Sequence, residues 1–266
     1  MRKEKKLEQF YDSLSSHYER MHKKRFCDKI LEYFTLFYLP KRKLKILDAG
    51  GGVGRFAIPL AKQGHSVVLS DISQGMLDNA NKLADKQKLK IDYIKESVVD
   101  LSKHLSSSFD VVLVMNAILD YCGDYEKALG EINRVLKKNG LLIGTVNNRF
   151  VYSASHELKK GNIGLFNKSM ASGDRYISWG GAKGHWTHEF TLDELKTSLK
   201  DSSFEIINLL GVFNLLGKYA DVSTFSKIKQ MKLFELQIEY AKKEEYLNNS
   251  TDFFFVAKKS SESQQL

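Results

Sequence analysis

The run Ile46-Leu47-Asp48-Ala49-Gly50-Gly51-Gly52-Val53-Gly54 constrains this chain more than any other stretch. An apolar strand pattern enters three alternating glycines and leaves into a helical pattern. Glycine reaches left-handed backbone angles without steric cost and has no Cβ, so a loop of this composition lets the backbone approach a bound molecule closely. A strand, a glycine loop and a helix in that order belong to open α/β sheets, in which ligands sit beyond the carboxyl ends of the strands.

Downstream, short β-branched runs alternate with amphipathic stretches as far as Asn148, the pattern of a doubly wound parallel sheet with helices on both faces. The periodicity predicts strands over 45–49, 66–71, 90–95, 109–116 and 140–147. Helices are predicted over 54–63, 73–86 and 124–138, the last closed by Asn139-Gly140 in the left-handed C-cap position. The alternation then breaks over 149–190, a stretch rich in glycine that also holds Tyr152, Tyr176, Trp179 and Trp186. A loop this long in a compact domain is expected to cover a site. The pattern resumes with a helix over 191–200 opened by the capping box Thr191-x-x-Glu194, a strand over 204–210, a helix over 223–247 and a strand over 252–258. Ahead of the first strand, Leu7, Phe10, Tyr11, Leu14 and Tyr18 recur at helical spacing. The reading is one domain, 1–266, comprising an N-terminal helical lid (1–44), a cofactor-binding core (45–148), a substrate-cover insert (149–190) and the C-terminal part of the sheet (191–259).

The net charge of +9 is concentrated at the start, where thirteen Lys/Arg against six Asp/Glu fall at or before Lys45. Such a basic arm fits the solvated face of a helix, an RNA partner or an anionic substrate. No stretch is long and apolar enough to span a membrane, and no apolar run follows the charged Met1-Arg2-Lys3-Glu4-Lys5-Lys6, so a cytoplasmic protein with no membrane partner is expected. Cys27 and Cys122 have neither disulfide nor zinc spacing, and no metal is assigned.

The glycine loop alone fits two cofactors. Gly52-x-Gly54-x-x-Ala57 matches part of the dinucleotide fingerprint, with Asp71 at the distance of its ribose carboxylate, so an NAD-dependent oxidoreductase is one reading. Four features favour another. Asp48 lies two residues ahead of Gly50, where a carboxylate suits a cationic amino-acid moiety better than a pyrophosphate. Asp71 ends a strand and precedes Ile72 and Met76, which can sandwich a purine whose ribose Asp71 binds. The stretch from Tyr93 to Leu101 turns after the third strand, where an adenine edge can be read. Finally, Phe109-Asp110-Val111-Val112 and then Glu131 to Leu142 close the unit in order.

With these motifs the chain resembles the class I S-adenosylmethionine-dependent methyltransferases, from Tyr11 to about Asn147 and again over 252–258. The resemblance implies a Rossmann-like α/β sheet of about seven strands with the last antiparallel. It also implies S-adenosyl-L-methionine as methyl donor and S-adenosyl-L-homocysteine as product. Carried over residue by residue, Asp48, Gly50 and Gly52 hold the methionine end, with Gly51 and Gly54 completing the loop. Asp71 takes the ribose, Ser97 and Val98 the adenine, and Asn116 the methionine moiety, while Tyr11 and Tyr18 match an N-terminal aromatic lid. Two positions depart from the family pattern: Ser97 stands where an Asp is usual, and Lys138-Asn139-Gly140 where Pro-Gly-Gly is. The spelling 47–54, with Ala57-Ile58 and Gly64-His65 behind it, is also similar to bacterial methyltransferases that esterify the carboxymethoxy group of a tRNA wobble uridine. In those an Arg ahead of the first strand contacts the cofactor, and Arg25 sits at the matching distance; the 149–190 insert departs from them.

A sulfonium methyl is already activated, so such an enzyme contributes positioning and, for a protonated nucleophile, a base. Asp120 and Tyr121, after the fourth strand, are the first candidates, Asp120 serving equally well as a helix cap. His185 and His188 in the insert titrate near neutrality and are the next, and Trp179 and Trp186 are candidate substrate walls. The expected activity is methyl transfer to an N, O or S nucleophile of a small molecule under the insert. Modification of tRNA, an oxidoreductase and a non-catalytic binding module are the alternatives.

Overall fold

A computed structural model describes residues 2–21, 26–177 and 184–260. Helices α1 (Arg2–Met21) and α2 (Phe26–Tyr38) precede β1 (Lys45–Ala49), α3 (Ala57–Lys62), β2 (Ser66–Asp71), α4 (Gln74–Asp85), β3 (Asp92–Lys95) and β4 (Phe109–Val114). The single turn α5 (Ile118–Tyr121), α6 (Tyr125–Val135) and β5 (Leu136–Asn147) complete the first half. Then come α7 (Arg149–His156), α8 (Ile163–Ser172), the antiparallel strands β6 (Asp174–Ile177) and β7 (His185–His188), α9 (Leu192–Asp201), β8 (Phe204–Val212), α10 (Lys227–Ala241) and β9 (Asp252–Lys259).

Seven strands form one sheet in the order β3-β2-β1-β4-β5-β9-β8, with β6 and β7 apart as a pair. Strands β1 to β5 pair in parallel, and β9 enters antiparallel between β5 and β8. Because β1 neighbours β4 although β2 and β3 intervene in sequence, the chain winds out on one side of β1 and then on the other. The crevice at that reversal, beyond the strand carboxyl ends, is where such sheets bind ligands. Successive strand residues serve opposite faces. Ile46 packs in a core with Leu31 and Phe34 of α2, Leu60 of α3, Ala80 of α4 and Ala241 of α10. Leu47, next to it, belongs to a second core with Ile132 of α6 and Leu195 and Leu199 of α9. Burial on both faces is why the central strands read as continuous apolar runs.

Four sequence expectations change. Helix α3 begins at Ala57 rather than residue 54, because Gly54 stands at φ +79°. Helix α6 ends at Val135, and the left-handed residue is Asn139 (φ +60°), in a bulge between the pairs Phe109–Leu136 and Val111–Leu141. The helix expected over 223–247 is split into α10, which Ser226 caps, and a 3-10 turn at Glu244–Asn249. The described residues of the insert form two helices, a 3-10 turn (Leu158–Lys160) and a β-pair rather than a loop. It is fixed by buried polar pairs. Arg149 donates through Nε to the Glu189 carbonyl (2.8 Å) and pairs with Glu194, which also closes the capping box with Thr191. Arg175 Nε donates to Glu189 Oε1 (2.8 Å), and Thr187 Oγ1 to the Asp120 carbonyl (3.3 Å). No described helix is long and apolar enough to cross a membrane.

Candidate active site

Helix α1, the glycine loop and the carboxyl ends of β1 to β4 surround an open cleft. Among the residues singled out in the sequence, Tyr11, Asp48, Gly50, Gly51, Gly52, Asp71, Ile72, Met76, Ser97, Val98, Asn116 and Tyr121 meet on its lining. Leu7, Val53, Arg55, Phe56, Glu96, Met115, Ile118 and Cys122 also line it and had not been anticipated. Of these, Glu96 and Ile118 adjoin positions that the motif reading marked, and Leu7 lies one helical turn before Tyr11. Gly54 stands behind the lining, against Ile58 and Leu69. Arg25, Trp179 and the side chain of Tyr18 lie outside the described residues.

The loop geometry follows from its residue types. Gly50 and Gly52 adopt φ +69° and +55°, and nothing lies within 4 Å of the position a Gly52 Cβ would take. Asp71 clamps the loop, accepting from Gly52 N–H through Oδ2 (2.9 Å) and from Ser73 N–H through Oδ1 (2.9 Å). Asp48 Oδ2 accepts from Ala57 N–H (3.0 Å) at the start of α3. Burial pushes the Asp48 carboxyl up to about 7 and that of Asp71 to about 6, backbone N–H bonds only partly offsetting it. Neither carboxylate has an ion-pair partner among the described residues. Two buried acids beside an open glycine cradle fit a ligand that brings an ammonium group and ribose hydroxyls, and they oppose a pyrophosphate.

On the far side, Asn116 (φ +58°) and Ala117 (φ +68°) are consecutive left-handed residues, a strain of about 1 kcal/mol or more each for a non-glycine. They turn the chain so that Ile118 packs over Gly50. Helix α1 closes the front. Asp12 Oδ1 accepts from Ser73 Oγ (2.5 Å) and from Gly75 N–H (3.4 Å), and Glu8 pairs with Lys95 (2.6 Å).

Residues 46–140 match the methyltransferase domain family. Over 103 residues the chain is 35% identical to the tRNA 5-carboxymethoxyuridine methyltransferase of Escherichia coli K12, a match covering 38% of this chain and only 39% of that protein. Over 188 residues it is 30% identical to the ubiquinone biosynthesis O-methyltransferase of Rickettsia typhi, covering 70% of each. The chain belongs to the class I S-adenosylmethionine-dependent methyltransferases. The fold agrees: a SAM-dependent methyltransferase structure from Methanosarcina mazei superposes with a TM-score of 0.63 at 22% identity, over 86% of this chain and 98% of that one. S-adenosylmethionine is therefore the methyl donor of this enzyme, and the oxidoreductase reading falls away.

The methyltransferase insert packs beside the cleft and reaches its lining through His185, which does not itself line it. His185, on β7, is 8% exposed, and its ring meets Phe10 (4.8 Å between centroids), Tyr121 (5.5 Å) and Tyr11 (6.5 Å). Both of its ring nitrogens are buried and have no hydrogen-bond partner among the described residues, and burial lowers its pKa. His188, the other candidate in the insert, stands away from the cleft between Asp174 (3.1 Å) and Glu194 (2.9 Å). Burial opposes its charge, but those two carboxylates outweigh burial and raise its pKa. Asp120 is buried behind the lining, where its Oδ1 accepts from Asn147 N–H (2.9 Å). Burial raises its pKa well above the usual carboxylate range. Trp186 is half exposed, edge-on to Tyr176 (5.6 Å).

Proposed function

We propose that this methyltransferase methylates a hydroxyl oxygen of a small planar molecule held between the cleft and the β6–β7 pair, with His185 as the proton acceptor. The observation that carries this reading is the His185 ring, which has no hydrogen-bond partner among the described residues and meets Tyr11 and Tyr121 of the cleft lining. An oxygen acceptor also agrees with the name of the Rickettsia relative, an O-methyltransferase.

Bound S-adenosylmethionine supplies an electrophilic methyl on a sulfonium and leaves as a neutral thioether. In the proposed assignment Asp48 holds its ammonium end, Asp71 its ribose hydroxyls, Ile72 and Met76 the purine faces, Val98 and Ser97 the adenine turn, and Asn116 with Tyr11 the methionine moiety. Gly50, Gly51 and Gly52 give the backbone its approach, and Gly54 shapes the turn behind them. Phe10, Tyr11 and Tyr121 form a wall on which an aromatic ring can stack, at centroid distances usual for such pairs. His185, neutral because it is buried, takes the hydroxyl proton as the oxygen–methyl bond forms. Asp120 and His188 act as positioning residues, through the Thr187 hydrogen bond and the Glu194 pair respectively.

His185→Asn should lower kcat by on the order of a hundredfold or more while leaving S-adenosylhomocysteine affinity within about twofold. Wild-type turnover on a phenolic acceptor should rise with pH to a plateau, a profile the variant loses. Turnover unchanged in His185→Asn would overturn the assignment.

The match to the tRNA methyltransferase over the cofactor half, together with the basic N-terminal stretch, favours tRNA as a second reading. Salt separates the two, since phosphate contacts make affinity fall steeply with added salt and an enclosed small molecule responds little.

A further inference from the structure

Under the insert, the carboxyl edge of the sheet is polar where a core would be apolar. Asp120 follows β4, Asn147 ends β5, Asp252 opens β9 and Lys218 follows β8, and all four are buried. On the insert side, His185 and Thr187 of β7 and Glu189 just past it are the buried alternates, and Thr187 Oγ1 donates to the Asp120 carbonyl (3.3 Å). Of the eight buried side-chain atoms with no hydrogen-bond partner among the described residues, five belong to this group: Asp120 Oδ2, Asn147 Oδ1, Glu189 Oε2 and both His185 nitrogens. Such atoms are few in a native fold and each is costly, so their concentration in one place marks where a polar ligand belongs.

The charges narrow its chemistry. Glu189 is paired with Arg175, and Asp252 with Lys218. Asp120 has no ion-pair partner among the described residues: its Oδ1 accepts from Asn147 N–H (2.9 Å), and the nearby Glu189 and Asp252 oppose its ionisation. Three acids against two bases leave one carboxylate without a counter-ion, beside two more oxygens that only accept. A primary ammonium brings one positive charge and three donors. Tyr121 relates this place to the methyl-transfer end, because its ring meets His185 (5.5 Å) and its hydroxyl lies beside the Asn147 side chain. An aromatic acceptor lying along Tyr121 with its hydroxyl at His185 points its other end at Asn147 and Asp120.

We propose that the acceptor is a hydroxylated aromatic amine whose ammonium group is bound by Asp120 Oδ2, Glu189 Oε2 and Asn147 Oδ1. Phe10 of α1 packs on His185 (4.8 Å) in the free protein, so the amine enters as α1 lifts. The inference rests on the small-molecule reading above, but not on His185 being the base.

Calorimetry at saturating S-adenosylhomocysteine with tyramine and para-propylphenol, in which a methyl replaces the ammonium, tests it. The wild type should bind tyramine tighter by on the order of tenfold to a hundredfold, the range for hydrogen bonds to charged groups. Asp120→Asn keeps the oxygen that Asn147 N–H needs and sets an NH2 in the ammonium's place, so it should bring the two affinities within about threefold of each other. In the free variant that NH2 fills the neighbouring acceptors, and Tm at about pH 8 should rise by about 2–4 °C. A merely structural Asp120 would instead lose Tm and weaken both ligands alike. Equal affinities in the wild type, or an undiminished preference in Asp120→Asn, would overturn the proposal and leave the small-molecule reading standing. Binding of neither phenol would overturn both. Should Asp120→Asn fail to fold, Glu189→Gln, which keeps an oxygen for Arg175, gives the same comparison.

Discussion

Asp48 and Asp71 lie at the carboxyl ends of neighbouring parallel strands, and burial raises the cost of ionising both. Their carboxyls titrate at about 7 and about 6 against an ordinary 3.8. The free folded protein therefore keeps protons that the unfolded chain has released, and its stability falls as pH rises from the ordinary value through that window. An ammonium group bound beside Asp48 reverses the effect. The rise in Tm given by S-adenosylhomocysteine should accordingly be larger at about pH 7.5 than at about pH 5, and Asp48→Asn should erase the difference. Thermal scans showing the same rise at both pH values, or a difference intact in the variant, would contradict this account. Both residues were legible because their spacing from Gly50 to Gly54 is local. Glu96 was not, since its place on the lining is fixed by His104 eight positions later and by Arg134 beyond that. His185 was legible as a titrating residue only; Phe10 and Tyr121, which enclose it, come from α1 and α5.

Elements were legible where apolar periodicity forms them. Strands β1 and β2 stand at the expected residues because every position after the first is buried on one face or the other. The insert gave no such signal, for it is held by Arg149–Glu194 and Arg175–Glu189 instead of an apolar stripe. A similar device fixes the start of β9. Lys218, in the stretch between β8 and α10, lies 2.6 Å from Asp252, with side chains 7% and 0% exposed. Nothing in the sequence marks that lysine as buried, and a lysine is ordinarily solvated. Lys218→Met leaves Asp252 buried without its cation and should cost about 3–5 kcal/mol in urea unfolding. Adding Asp252→Asn should recover most of the loss. A single variant within about 0.5 kcal/mol of wild type would show the pair to be dispensable.

For the whole molecule, strand order was readable from the succession of motifs, and the antiparallel β9 from the family resemblance. The placement of α1 against α4 was not, because it rests on contacts more than sixty residues apart, such as the Asp12 carboxylate with Ser73 and the Ser15 carbonyl with Asn79. Helix α1 touches both halves of the site, lining the cleft through Leu7 and Tyr11 and meeting the insert through Phe10 against His185. Release of a spent donor beneath such a helix is expected to require that Asp12 let go of Ser73 and Gly75. Such a latch would act as a clock, setting how long S-adenosylhomocysteine dwells and, through dwell time, the ceiling on turnover. Stopped-flow displacement should show Asp12→Ala shedding the product several-fold faster, by roughly the worth of one or two hydrogen bonds, and an unchanged off-rate would mean that α1 is no gate. The catalytic rhythm of the enzyme is in this sense written on its first helix, at some distance from any atom that reacts.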